Sequence, residues 1–233
     1  MTRKANPVFV ALDTPSLATA STLAASLKPF VGGVKIGLEF VSANGPDGVR
    51  AMVATGVPVF LDVKLHDIPN TVAGAMKTLA PLGAAIVNVH ASGGPAMMRA
   101  AAEAARSVPQ PSKIIAVTVL TSLAAEDLAA MGIAGTPLEQ VTRLARLTKD
   151  SGLDGVVCSP LEIAAVRAAC GPDFLIVTPG VRPGTSTSDD QKRVMTPKRA
   201  LEAGADILVI GRPITGASDP ARAAQEIAAE LAK

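Results

Sequence analysis

The sequence predicts an α/β fold, a closed (β/α)8 TIM barrel that occupies residues 1–233 as a single domain. Short β-branched runs alternate with Ala- and Leu-rich amphipathic stretches, which predicts a parallel sheet with a helix after each strand. The runs are almost continuously apolar, as expected for strands covered on both faces. Eight such units fit a chain of 233 residues, somewhat compact for this class. A doubly wound open sheet is the structural alternative, but the first strand leads into LDTPS, without a glycine-rich nucleotide-binding turn.

Each predicted strand is a short apolar run, and each predicted helix is a longer amphipathic segment. The strands are predicted at 8–12, 33–38, 59–64, 85–90, 114–120, 155–159, 175–179 and 207–211. The helices are predicted at 15–28, 46–55, 69–80, 95–107, 138–151, 160–169, 197–203 and 219–232. Three of these helices begin with a capping residue followed by proline, the Thr-Pro, Ser-Pro and Asp-Pro pairs at 14–15, 159–160 and 219–220.

Composition excludes several classes of protein. The 22 basic and 20 acidic residues leave a net charge of +2, and the chain has no Trp and no Tyr. A dedicated nucleic-acid binder would show a basic face and usually aromatic stacking platforms, so we expect no nucleic-acid partner. A hydrophobic fraction of 48% also excludes the disordered class, which combines low hydrophobicity with high net charge.

We expect a cytoplasmic protein without a membrane span or signal peptide. The uncharged stretch 78–98 contains several Gly and Pro residues and cannot form one lipid-embedded helix. The apolar run near the N-terminus is too short for a signal peptide and is interrupted by Asp13. Cys158 and Cys170 form no metal or redox motif and are expected to be buried thiols.

Polar side chains at the C-terminal ends of the predicted strands mark the expected active-site face of the barrel. Asp62 and Lys64 lie two apart on strand three and should face the same side, with Asp67 just beyond them. Lys35 on strand two could reach the same pocket. An alternating Lys-Asp-Lys-Asp array can hold its members charged while aiming a lysine as a proton donor. The alternative is a buried ion-pair network that only closes one end of the barrel.

The segments VTPGVRPG (177–184) and VIGRP (209–213) predict a phosphate site. Backbone amides near glycine, together with Arg182 and Arg212, could bind the anion where barrel enzymes commonly hold phosphate, after strands seven and eight. The long polar loop at 180–193 has the composition of a mobile lid. The alternative is a pair of ordinary Gly-Pro turns with solvated arginines.

The two histidines and two cysteines predict no metal site, and no Walker motif or nucleophile elbow is present. His66 is interpreted as a structural residue that faces away from the pocket. His90 ends strand four and is a candidate pocket-lining residue.

The segment FLDVKLHDIPNT (60–71) resembles the orotidine 5′-phosphate decarboxylase family in its bacterial form. The resemblance covers nearly the whole chain, because VALD (10–13), VKIGLEF (34–40), VNVHASGG (87–94), VTVLTS (117–122), VTPGVRP (177–183), DQKRVMTP (190–197) and VIGRPIT (209–215) match in order. The Asp-x-Lys-x-x-Asp-Ile-x-x-Thr signature is complete.

The resemblance implies cofactor-free decarboxylation of orotidine 5′-monophosphate (OMP) to UMP, the last step of de novo pyrimidine biosynthesis. Lys64 would be the general acid that protonates C6 of the pyrimidine and stabilises charge there. Asp62 would lie against the substrate carboxylate, and Lys35 would pair with Asp62 and contact the ribose. Asp67 and Thr71 would reach into the site of the other subunit of a homodimer with shared active sites.

The remaining implied contacts belong to the ribose, the base and the phosphate. Asp13 would bind the ribose hydroxyls and Thr121 the base, while Ile68 completes the substrate-binding signature. The phosphate would be held by Arg182, Gln191, Gly211 and Arg212.

Two rival functions remain open at this point. Related barrels that share the strand-three motif use magnesium to decarboxylate or perform aldol chemistry on sugar phosphates, but they place an acid on strand two where this chain has Lys35. A non-catalytic nucleotide-binding barrel is the second alternative.

Overall fold

The eight predicted strands form a closed parallel barrel in the computed structural model, which describes residues 6–182 and 195–231. Strand order follows the chain, and closure occurs where Val10 pairs with both Val34 and Ile210. The strands are β1 (Val8–Ala11), β2 (Gly33–Gly37), β3 (Val59–Leu65), β4 (Ile86–His90), β5 (Lys113–Val117), β6 (Gly155–Val157), β7 (Leu175–Thr178) and β8 (Ile207–Ile210). The carboxyl ends of all eight strands therefore meet at one mouth, as the sequence predicted.

Ten α-helices lie in the part of the chain that the structure describes. They are α1 (Leu17–Leu27), α2 (Leu38–Ala54), α3 (Pro69–Leu79), α4 (Gly94–Ala105), α5 (Ala125–Ala130), α6 (Pro137–Asp150), α7 (Ile163–Cys170), α8 (Pro197–Glu202), α9 (Arg212–Thr215) and α10 (Pro220–Leu231). None of these helices is long and apolar enough to cross a membrane.

Helix α2 begins eight residues before the predicted start at residue 46. It is two helical segments joined at Gly45, whose φ of 59° is not helical. Pro46 lacks a backbone N–H and disfavours a helical conformation in the residue before it, so it breaks the hydrogen-bond ladder at this point. The prediction therefore found only the second segment. Helices α5 and α9 were also not predicted, because each is too short to show a 3.6-residue period.

The apolar core has two parts, separated by the barrel wall. Alternate strand residues such as Val8, Val10 and Ile36 point outward and pack against the helices. A smaller inner cluster fills the barrel; its buried members are Phe9, Ala11, Phe60, Ile86, Ile115, Val177 and Val209. The same alternation sends the polar residues that follow this inner cluster along the strands into the mouth of the barrel.

Candidate active site

Strand β3 delivers the central charged side chains through an irregularity in its pairing with β4. Leu61 pairs with Val87 and Leu65 with Val89, so three residues of β3 lie opposite the single residue Asn88. Within this bulge, Lys64 has a φ of 51° and is the only described residue other than glycine with positive φ. Bulges commonly redirect side chains next to active sites, and a left-handed lysine carries a conformational cost. The prediction that Asp62 and Lys64 share a face is confirmed, but the bulge rather than simple alternation brings them together.

Four charged side chains from three segments form the charged array, defined here as Asp13, Lys35, Asp62 and Lys64. The Lys64 Nζ lies 2.6 Å from Asp62 Oδ1, and the Lys35 Nζ lies 3.4 Å from Asp62 Oδ2 and 3.2 Å from Asp13 Oδ1. The side chains of Lys35 and Asp62 are 12% and 11% exposed, whereas that of Asp13 is 66% exposed. Signs alternate along the array, so each inner charge has a partner of opposite sign.

The pKa of Asp62 shows how the array balances burial against attraction. Burial alone would raise the pKa of this carboxyl, but the ammonium groups of Lys35 and Lys64 outweigh it. Hydrogen bonds from Lys64 and Asn88 act in the same direction. The net result is a pKa below the ordinary aspartate value, so Asp62 is a carboxylate at neutral pH.

Asn88 is a buried polar residue beside the charged array that the sequence did not mark as a site residue. It is completely buried, its Nδ2 donates to Asp62 Oδ1 at 2.6 Å, and its Oδ1 accepts from the backbone N–H of Lys64 at 2.7 Å. The sequence does contain an indication of this role, because Asn88 is a polar residue within an apolar strand. It lies two residues before His90, so strand alternation places both side chains on the same face of β4.

The inner cavity, as we name it, is an apolar chamber beside the charged array. Lys35, Asp62 and Lys64 line one part of it, and Thr121 also borders it. Aliphatic and aromatic side chains form the other walls: Phe60, Val117, Val119, Leu120, Val157, Pro179 and Val209. Strand β5 ends at Val117, before the predicted residue 120, and the segment that follows carries Thr121 to the cavity wall. The chamber therefore combines apolar walls with one charged edge.

The outer cavity, as we name the second chamber, shares Lys35, Pro179 and Val209 with the inner one. It is lined by Asp13, Arg182, Gly211 and Arg212, the residues predicted for ribose and phosphate. The two arginines come from the segments after β7 and β8, as predicted, and face one chamber. Gln191 and most of the predicted lid at 180–193 lie outside the described residues.

Asp67, Ile68 and Thr71 lie away from both cavities of the described chain. All three are exposed, and Ile68 reaches 68% exposure, unusual for an isoleucine. The Asp67 Oδ1 accepts from the backbone N–H of Ile68 at 2.7 Å. The second half of the motif is therefore exposed on the surface of this chain and does not line its own cavities.

The two histidines lie next to each other beside the array. The ring centroids of His66 and His90 are 5.6 Å apart. Burial, with further contributions from His66 and Lys64, lowers the pKa of His90, while Asp62 opposes this. His90 is therefore neutral at neutral pH. Within residues 6–182 and 195–231, no three His, Cys, Asp or Glu side chains are grouped to hold a metal ion.

Comparison with known proteins identifies the family. The sequence model of the orotidine 5′-phosphate decarboxylase / HUMPS family matches residues 6–227. The orotidine 5′-phosphate decarboxylase of Rhodospirillum rubrum is 59% identical, covering 97% of this chain and 94% of the relative. That of Paramagnetospirillum magneticum is 56% identical, covering 97% of this chain and 98% of the relative.

Solved structures agree with these sequences. The crystal structure of orotidine 5′-phosphate decarboxylase from Lactobacillus acidophilus superposes with a TM-score of 0.87 at 39% identity, covering 98% of this chain and all of that one. An uncharacterised conserved protein from Geobacillus kaustophilus superposes with a TM-score of 0.83 at 42% identity, covering 97% of this chain and all of that one. With the alternating charged array at the barrel mouth and these relatives across nearly the whole chain, this protein belongs to the orotidine 5′-phosphate decarboxylase / HUMPS family.

Proposed function

We propose that this protein decarboxylates OMP to UMP and carbon dioxide, the last step of de novo pyrimidine biosynthesis. The observation that carries the proposal is the Lys64 ammonium, held 2.6 Å from Asp62 at the edge of an apolar chamber that opens towards two arginines. Relatives over 50% identical across nearly the whole chain are named for this activity. The substrate carries a carboxylate and a remote phosphate, and the mouth offers positive charge for both.

Lys64 is the proposed general acid. When the bond from C6 to the carboxylate breaks, its electron pair stays on C6 and carbon dioxide leaves. A proton passes from the Lys64 Nζ to C6, and solvent later reprotonates the amine. An ammonium fixed in a poorly solvated chamber also stabilises the negative charge that develops on C6 before the proton moves. No cofactor is needed for this electron balance.

Asp62 and Lys35 hold Lys64 in place and also contact the bound substrate before the reaction. The Asp62 carboxylate receives both ammonium groups, so Lys64 cannot rotate away without losing a buried ion pair. We propose that Asp62 also lies against the substrate carboxylate, the group that leaves C6 as carbon dioxide. We propose that Lys35 and Asp13, joined at 3.2 Å, bind the ribose hydroxyls between the two cavities.

The outer cavity is the proposed phosphate site, and the inner cavity holds the base. Arg182, Gly211 and Arg212 would bind the phosphate together with Gln191, and Thr121 would hydrogen-bond the pyrimidine. Because the phosphate is remote from C6, its binding energy can hold the base against the charged array and so assist the chemical step.

We further propose a homodimer with shared active sites. The exposed Asp67, Ile68 and Thr71 would enter the mouth of the other subunit, which explains why a motif that continues from Asp62 and Lys64 turns away from its own cavity. Mixing Lys64→Ala and Asp67→Ala subunits tests this. Each variant alone should be inactive, whereas a mixed dimer contains one complete site and should regain activity. Inactivity of the mixture, with mixed dimers present, would refute the shared site.

A cytoplasmic location is also part of the proposal. The proposed substrate and product are both charged nucleoside monophosphates, which do not cross membranes unaided. Both cysteines are free and buried, which suits a reducing compartment.

The proposed reaction is tested with purified protein and pure OMP. The pyrimidine absorbance should change as OMP is consumed, and UMP should appear in equal amount. The rate should be the same with and without a metal chelator. Loss of activity on chelation would point to the magnesium-dependent chemistry of related barrels, and tight binding without turnover would point to a nucleotide-binding protein.

A further inference from the structure

Asn88 links the two ends of Lys64. Its Oδ1 accepts from the Lys64 backbone N–H at 2.7 Å, and its Nδ2 donates to the Asp62 Oδ1 that also accepts from the Lys64 Nζ. These contacts close a ring that contains Lys64, Asp62 and Asn88. The donors and acceptors fix the amide orientation, because only the oxygen can accept from an N–H and only the nitrogen can donate to a carboxylate.

The bulge in β3 explains why a side chain is needed at this place. Residues 62–64 lie opposite Asn88 alone, so the Lys64 N–H has no partner in the regular pairing of β3 and β4. The Asn88 amide takes the place of the missing strand carbonyl. Lys64 occupies the left-handed region, with φ 51°, where an unbranched lysine needs an external restraint.

Asn88 meets the conditions for a rigid support. It lies on the central part of β4, is 0% exposed, and belongs to a barrel strand rather than a loop. It lies outside the residues that line either cavity. Its effect on the reaction would therefore pass through Lys64 and Asp62.

We propose that Asn88 is a positioning residue for the decarboxylation, which holds Lys64 in its left-handed conformation and orients the Asp62 carboxylate towards both ammonium groups. This inference rests on the proposed function. Substrate affinity comes mainly from the phosphate and ribose contacts in the outer cavity, so Asn88 affects the chemical step and leaves binding almost unchanged.

The first test is Asn88→Ala. We expect kcat to fall about 10- to 100-fold, because a displaced proton donor reacts far more slowly, while KM changes less than about threefold. Ser112→Ala is the matched control. It also removes a buried hydrogen bond, from Ser112 to the Ala84 carbonyl at 2.6 Å, but at the opposite end of the barrel, and should leave kcat unchanged. A folded Asn88→Ala protein with wild-type kcat would overturn the proposal.

The second test is Asn88→Asp, which changes almost no volume. A carboxylate there keeps the acceptor for Lys64 but places a negative charge against Asp62; once protonated, it has the same donor and acceptor pattern as the amide. The other titratable or charged groups facing this pair are Lys35 from β2, Lys64 from β3 and His90 from β4, with Asp13 beyond Lys35. Relative to wild type, kcat of Asn88→Asp should therefore recover as the pH falls from 8 to 5, while the deficit of Asn88→Ala should not. A pH-independent deficit in Asn88→Asp would overturn the proposal, even if Asn88→Ala fails to fold.

A third measurement separates this inference from the proposed function. Hydrogen exchange of the Lys64 amide, followed by NMR without substrate, should be slow in the wild type and fast in folded Asn88 variants. Slow exchange that Asn88→Ala leaves unchanged would overturn the positioning role whatever the turnover. If the wild type does not turn over OMP but the exchange behaves as expected, the proposed function fails and the restraint on Lys64 stands.

Discussion

Neutralising Asp62 should destabilise the fold as well as the active site. In Asp62→Asn the Lys64 and Lys35 ammonium groups, 2.6 and 3.4 Å away, lose the carboxylate they share. Their side chains are only 28% and 12% exposed, so water replaces that partner poorly. Removing one member of a buried ion pair typically costs 3–5 kcal/mol, and we expect the lower end, about 3 kcal/mol, because Lys35 keeps Asp13.

Thermal unfolding measures this cost. For a chain of this size, about 3 kcal/mol corresponds to a fall in Tm of about 6–12 °C at pH 7. Asp47→Asn is a matched control, because Asp47 and Arg50 also form a 2.6 Å ion pair, but their side chains are 95% and 60% exposed. That substitution should leave Tm unchanged within error, because exposed pairs contribute little.

A double-mutant cycle locates the cost in the charged array. Because Lys35 keeps Asp13, Lys64 is the ammonium that loses its carboxylate partner, so Lys64→Met should restore part of the Tm that Asp62→Asn loses, since neighbouring charges couple energetically. Equal Tm losses for Asp62→Asn and Asp47→Asn would refute the reasoning, because burial would then make no difference between two pairs of the same length.

Three further predictions follow from the site. Folding lowers the pKa of Asp62, so the ionised carboxylate stabilises the folded state above its unfolded pKa, and this stabilisation is lost as the pH falls through the folded pKa. The Tm difference between wild type and Asp62→Asn should therefore shrink below about pH 4. A Tm difference that stays constant on acidification would contradict this. Arg212→Ala should lower kcat/KM for OMP about 10- to 100-fold, because it removes a charged hydrogen bond to the phosphate. Turnover of orotidine, which lacks the phosphate, should be unchanged. Equal losses for both substrates would mean that Arg212 does not bind the phosphate. Asp67→Ala should leave the Tm almost unchanged, because in the described structure this exposed side chain bonds only the next residue's N–H, while turnover should fall sharply if the proposed shared site exists; unchanged turnover would remove Asp67 from the site.

The barrel could be predicted because its signal repeats along the whole chain. Eight apolar runs at strand length, each followed by an amphipathic segment, leave few alternatives to a parallel sheet. The short helices α5 and α9 and the first segment of α2 lie below the length at which helical periodicity is visible. Their formation depends on tertiary packing rather than on a local pattern.

The charged array could be predicted for a similar reason, since acids and bases inside apolar strands need partners. The arrangement that joins them could not. Strand alternation alone does not indicate that Lys64 lies in a bulge with positive φ, because the pairing of β3 with β4 decides this. Asn88 could not be assigned in the same way, because an uncharged amide can be satisfied by neighbouring backbone groups and does not require a partner of opposite charge, although burying it without hydrogen bonds is also costly.

Turnover of pure OMP by wild-type and Lys64→Ala protein tests the central claim most directly. The wild type should convert OMP to equal amounts of UMP and carbon dioxide. Lys64→Ala, with its fold confirmed by an unchanged secondary-structure spectrum, should be slower by at least about 10³-fold, because it loses both the proton donor and the charge beside C6. A Lys64→Ala rate near that of the wild type would contradict the account.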